Sequence, residues 1–123
     1  MITNKQALIA RNKLYQIGKM VKDTVTAKRV FNIRRELDEV FKFVCERQDA
    51  MAEAAGVAAD EKGSWNYPDA ETKEKFDKEN TELLEADSGV EPITVKAESI
   101  PGLSVEDIAA LAGVVEIEVG GEE

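Results

Sequence analysis

The chain has 123 residues, no histidine and one cysteine, and at pH 7 it carries a formal net charge of −9. That length suits one domain or a small domain with an appendage, and 43% hydrophobic residues supply a modest core. The composition excludes a histidine base, a Cys–His nucleophile and a zinc site, and no run of eighteen apolar residues is present to span a membrane.

Charge is unevenly placed. Residues 1–48 hold eleven Lys or Arg against five Asp or Glu, a net of +6, and residues 49–123 hold five against twenty, a net of −15. Such a division points to a basic half that meets nucleic acid, to an acidic half that repels or mimics it, or to halves that face each other within one fold or across a dimer. In the N-terminal MITNKQALIARNK, polar and basic residues break a short apolar patch, so it does not read as a signal peptide. Cys45 has no partner for an internal disulfide, and a reducing cytoplasm is the expected setting.

Thr3 or Asn4 is the expected N-cap for a first helix reaching about Met20 or Val21. Ala7, Leu8, Leu14, Ile17 and Val21 form its apolar face, with Arg11, Lys13, Lys19 and Lys22 expected to point outward. Gly18 weakens the last turn, and Lys22-Asp23-Thr24 supplies a break and a new cap. So short a connection predicts an antiparallel helical hairpin, the alternative being one continuous helix kinked at Gly18.

The long helix, Thr24 to Ala55, is the organising element. Val30, Ile33, Leu37, Val40 and Val44 recur at steps of three and four, one stripe of a helix on the order of 45 Å long. Ala27, Phe31, Phe41 and Cys45 widen that stripe into an expected broad buried face, with Cys45 a buried structural thiol. Gly56 should end the helix. Residues 56–68 read as a loop in which Trp65 and Tyr67 alternate, a pair that either covers a core or forms a binding hot spot.

A third helix starts at Pro68–Asp69 and reaches about Leu84, very polar, with Phe76, Leu83 and Leu84 as its anchors and Asn80 between them. Then the period changes. Ile93, Val95 and Ala97 alternate with polar residues as a half-buried strand, Ser104 and Asp107 make a capping-box-like start for a helix over 105–112, and Gly113 closes it. Val115, Ile117 and Val119 alternate with Glu116 and Glu118 as a second strand, and residues 120–123 read as a tail. Two strands are marginal in water, so they must pack on the helices or pair with another chain. The expected fold is therefore mainly α with a small β appendage (α+β): residues 1–85 a helical hairpin plus the polar third helix, residues 86–123 a β-α-β unit packed on it.

Chemistry is sparse. No phosphate-binding GxxxxGK[ST] or GxGxxG occurs, and the carboxylates, Glu71, Glu74, Asp77 and Glu79 among them, lie on a solvated helix face. No catalytic, metal or cofactor residue is assigned, and the chain reads as a non-enzyme. The order of elements, with the phrases FKFVCERQDAMAEAAGV, ETKEKFDKENTELLEADSGVEPITV and LSVEDIAALAGVVEIE, resembles small proteins of unknown function encoded by tailed bacteriophages and prophages, over roughly residues 5–119. The resemblance implies a phage origin and a binding role in virion assembly or against a host protein, placing the chain in the host cytoplasm or the virion.

The expected partners are a second copy and another protein, met through Trp65, Tyr67, Arg34, Arg35, Glu116 and Glu118. Two alternatives stand beside this. The −15 half suits an acidic inhibitor of a host nucleic-acid enzyme, and Lys5, Arg11, Lys13, Lys19, Lys22, Lys28, Arg29, Arg34 and Arg35 could contact phosphates directly. Against direct contact stand the low pI of about 4.6 and a basic stripe read as lacking base-stacking aromatics.

Overall fold

The computed structural model describes residues 1–62 and 64–119. Helix α1 (Asn4–Ile17) starts where the Thr3 hydroxyl accepts from the Gln6 amide at 3.1 Å and the Gln6 side chain accepts from the Thr3 amide at 2.8 Å, a closed capping box. A 3₁₀ turn (Gly18–Met20) ends it, and Asp23 caps α2 (Thr24–Ala55) by accepting from the Thr26 amide at 2.9 Å. The two helices form the hairpin, not one kinked rod. Helix α2 has 32 residues, about 48 Å of rise, and stops at Gly56, whose φ of 72° is the left-handed conformation that favours glycine at this position.

The apolar side of α2 is covered by α1 and the C-terminal unit along its inner stripe and by a third helix at its far end. Ala7 and Ala10, both fully buried, bring α1 close to Val30, Ile33, Leu37, Val40 and Val44, and Leu14 and Ile17 complete the contact line. Asp69 caps α3 (Ala70–Glu85), which covers the far end of α2 through buried Phe76, packed with Met51, Ala52 and Val57. The anchors expected for this helix are those observed: Leu83 and Leu84 are half-buried, and Asn80 accepts from Gln48 at 2.8 Å. Where α3 ends and α1 begins, Asn4 is 3% exposed, its amide donating to Ala86 O at 2.9 Å and its side chain to Leu83 O at 2.7 Å.

The loop expected over 56–68 contains a small antiparallel pair, β1 (Ala58–Ala59) with β2 (Trp65–Asn66). Strands β3 (Ile93–Lys96) and β4 (Val115–Glu118) pair in parallel with Ile93 opposite Val115, joined by a 3₁₀ turn (Ala97–Ser99) and α4 (Val105–Leu111). Ser104 and Asp107 close the expected capping box at 3.0 and 3.1 Å. Val95, Leu111, Val114 and Val115 bury the unit in the same core as α1 and α2, and the Lys22 amide donating to Ser99 O at 2.8 Å pins the hairpin turn to it. The fold is mainly α with a small β appendage. Residues 120–123, read from the sequence as a tail, lie outside the described residues.

The sequence expectation for the width of the long helix's buried face is not met. Phe31 is 46% and Phe41 40% exposed, Ala27 is exposed, and Cys45 is only half-buried. One helix lying on another covers a narrow line, and α1 spends its cover on the inner stripe. Arg11 and Lys13, expected outward, are instead held in ion pairs, Arg11 with Asp38 at 2.7 Å and Lys13 with Asp107 at 2.8 Å.

Candidate interaction surface

Displaced by one residue from the buried stripe runs a second line of the same spacing: Ala27, Phe31, Arg34, Asp38, Phe41 and Cys45. One residue is about 100° of helix, so this line is the flank of α2 that lies beside α1. At its centre both oxygens of Asp38 are engaged. Arg11 Nε donates to Oδ1 at 2.7 Å, and the Tyr15 hydroxyl donates to Oδ2 at 2.6 Å. Burial opposes ionisation of Asp38, but the hydrogen bonds from Tyr15 and Arg11, with the charges of Arg11 and Arg34, outweigh it and hold the carboxyl below its ordinary range. The hydrogen bond to Asp38 pushes the Tyr15 hydroxyl the other way, above its ordinary value.

Cations stand over the rings. The Arg11 guanidinium carbon lies 4.0 Å from the Phe41 centroid and 5.0 Å from that of Tyr15; Arg34 lies 4.4 Å from Tyr15. Lys28 and Arg35 flank Phe31, each at 5.8 Å. Gly18 supplies room for this, since a Cβ there would come within 3.2 Å of Arg34 Nη1. Tyr15, Phe31 and Phe41 nonetheless remain 50%, 46% and 40% exposed. Among the described residues, Lys28, Arg29, Arg34 and Arg35 have no carboxylate within ion-pair distance.

The opposite flank of α2 has another character. Glu36, Glu39 and half-exposed Phe43, with Val40, Asn4 and the turn Asp87–Val90, line an open cleft of about 470 Å³. Its rim is acidic. Among the described residues no group of three His, Cys, Asp or Glu side chains is placed to hold a metal ion.

The structure does not bring the six sequence-chosen residues together. Arg34 lies on the hairpin flank, whereas Arg35 stands on the outer side of α2, between Phe31 and the groove it lines with Glu36 and Glu39. Trp65 and Tyr67 sit at the far end of α2, half-buried, their rings 5.5 and 5.7 Å from that of Phe76, so they cover a small satellite core. Glu116 accepts from the Gly113 amide at 2.6 Å and closes the turn into β4, while Glu118 lies at the end of β4 opposite Lys96. Reading the sequence named Arg11 only as a cation that could contact phosphate, and missed Tyr15, Asp38 and the exposure of Phe31 and Phe41. A signal was available, because a line with Arg34 and Asp38 at its middle is a poor candidate for burial. Nor are aromatic rings absent from the basic stripe. Compared with family models, curated proteins and solved structures, the chain has no match. No described helix is long and apolar enough to cross a membrane.

Proposed function

We propose that the chain is a non-catalytic interaction protein that docks on an acidic protein partner through the cation–aromatic flank of its helical hairpin. One observation carries this reading: three partly exposed rings stand in a row among cations, and Lys28, Arg34 and Arg35 beside them lack a carboxylate within ion-pair distance. Tyr, Phe and Arg are enriched in interface cores, and Tyr and Arg in their hot spots. Asp38 fixes Arg11 and Tyr15 in advance, which lowers the ordering cost of binding. The resemblance to tailed-phage proteins supplies the setting, virion assembly in a host cell.

The test is affinity capture from infected or lysogenic cells, with the wild-type chain and the Arg34→Glu/Arg35→Glu variant side by side. A virion protein recovered by the wild type, lost with the variant and released by salt supports the reading. Equal capture by both chains removes it.

A second reading is direct binding of single-stranded nucleic acid, favoured by the interleaving of Tyr15, Phe31 and Phe41 with the basic side chains, which is how stacking platforms are built. Fluorescence polarisation with a labelled oligonucleotide at low salt decides it. Saturable binding lost in the same variant favours nucleic acid; no change in polarisation ends that reading.

A further inference from the structure

We infer that the two flanks of α2 are complementary to each other, so that copies of the chain stack side by side, the cation–aromatic flank of one seated on the acidic cleft of the next. This inference rests on the interaction reading above and names a second copy as one occupant of the flank. The flanks lie about 100° to either side of the buried stripe, since they are displaced from it by one residue in opposite directions. One presents Phe31, Phe41 and Arg34. The other presents Phe43, Glu36 and Glu39 around the open cleft, with Asp87 on its rim.

Each flank pairs badly with itself. Two copies joined by their basic flanks would set Arg34 against its counterpart, and the one carboxylate there, Asp38, is already engaged by Arg11 and Tyr15. Two acidic flanks would oppose Glu36 and Glu39. Unlike flanks remove both conflicts: Arg34 meets glutamates, and the phenylalanine rings cover one another. Lys28 and Arg29 stand at the end of the rod remote from Phe43 and do not enter the acidic cleft.

Every copy then carries one donor and one acceptor face. Such contact is heterologous, and it builds a ring if the rotation closes and an open stack if it does not. A flank one helix wide is small against the roughly 800 Å² per partner of a standard interface, so the association is weak, concentration-dependent and sensitive to salt.

Two variants test this, each neutralising one flank at exposed or half-exposed positions: Phe31→Ser/Arg34→Ser on the basic side and Glu39→Ser/Phe43→Ser on the acidic side. Circular dichroism confirms that both are folded. In sedimentation velocity at rising concentration, the wild type is expected to pass twice its 13.5 kDa chain mass. Each variant alone should stay monomeric, and an equimolar mixture should form a 1:1 dimer and stop there, because each variant keeps one working face. The inference is overturned by a wild type that stays monomeric at every concentration, by variants that assemble like the wild type, or by a variant that dimerises alone. A monomeric wild type that still captures an acidic partner, and loses it with Phe31→Ser/Arg34→Ser, overturns the stacking and leaves the partner-binding reading standing.

Discussion

Two stripes run along α2, one residue apart and identical in spacing, and they meet opposite fates. Val30, Ile33, Leu37, Val40 and Val44 are buried under α1 and the β-α-β unit, whereas Phe31, Arg34, Asp38 and Phe41 remain at the surface. Helical periodicity decides which residues share a face. It does not decide how wide a face receives cover. Width depends on what is laid across it, and on this side α1 brings Ala7, Ala10 and Leu14 to the inner line but reaches the outer one only with the polar ends of Arg11 and Tyr15. The inner stripe holds the fold, and the outer one stays accessible.

The sharpest way to break this contrast is to truncate a residue in each stripe. Leu37, fully buried, should cost about 2–5 kcal/mol of stability as Leu37→Ala. Phe41→Ala, in the outer stripe, should cost far less, nearer the roughly 0.5 kcal/mol scale of surface changes. Urea unfolding of the two variants measures both, and equal losses would merge the stripes into one core. Next in size is Asn4→Ala. It removes the buried donor to Leu83 O where α3 meets α1, leaving that carbonyl only the longer bond from the Ala86 amide at 3.3 Å, and about 0.5–1.5 kcal/mol is expected.

Acid should reach the outer stripe through its carboxylate. Asp38 is held below its ordinary range in the folded chain, and so is Asp107, foremost by Lys13 and then by the Ser104 amide. A depressed folded pKa contributes stability above the unfolded value near 3.9, and that contribution is lost as pH falls through the lower folded value. Stability should therefore decline below about pH 4, and the decline should be shallower in Asp38→Asn and Asp107→Asn, as read from urea midpoints across the acid range. The smallest effect is expected at Gly18, whose backbone is right-handed helical and accepts alanine without strain. Gly18→Ala should leave stability within about 1 kcal/mol while displacing Arg34 from Tyr15, visible as a shift of the Tyr15 ring resonances.

Much of the architecture is legible in the sequence because it rests on local chemistry. The caps at Thr3, Asp23 and Ser104, the left-handed stop at Gly56 and the alternation in β3 and β4 each involve residues a few positions apart. The site is less legible because it depends on distant partners. Tyr15 and Asp38 meet only once the hairpin closes, and Asn4 finds its acceptor 79 residues away. Phe31 and Phe41 read as core because hydrophobic spacing alone carries no record of what covers it. Trp65 and Tyr67 read as a possible hot spot for the same reason, whereas Phe76 on the next helix claims both rings.

Those two aromatic groups offer the most direct test of where partners bind. Hydroxyl-radical footprinting of the chain alone and in the complex recovered by capture compares them within one experiment. Protection of Tyr15, Phe31 and Phe41, with Trp65 and Tyr67 unchanged, is the predicted result. Protection of Trp65 and Tyr67 with the hairpin rings still reactive would place the working surface at the far end of α2 and contradict the division between the two stripes.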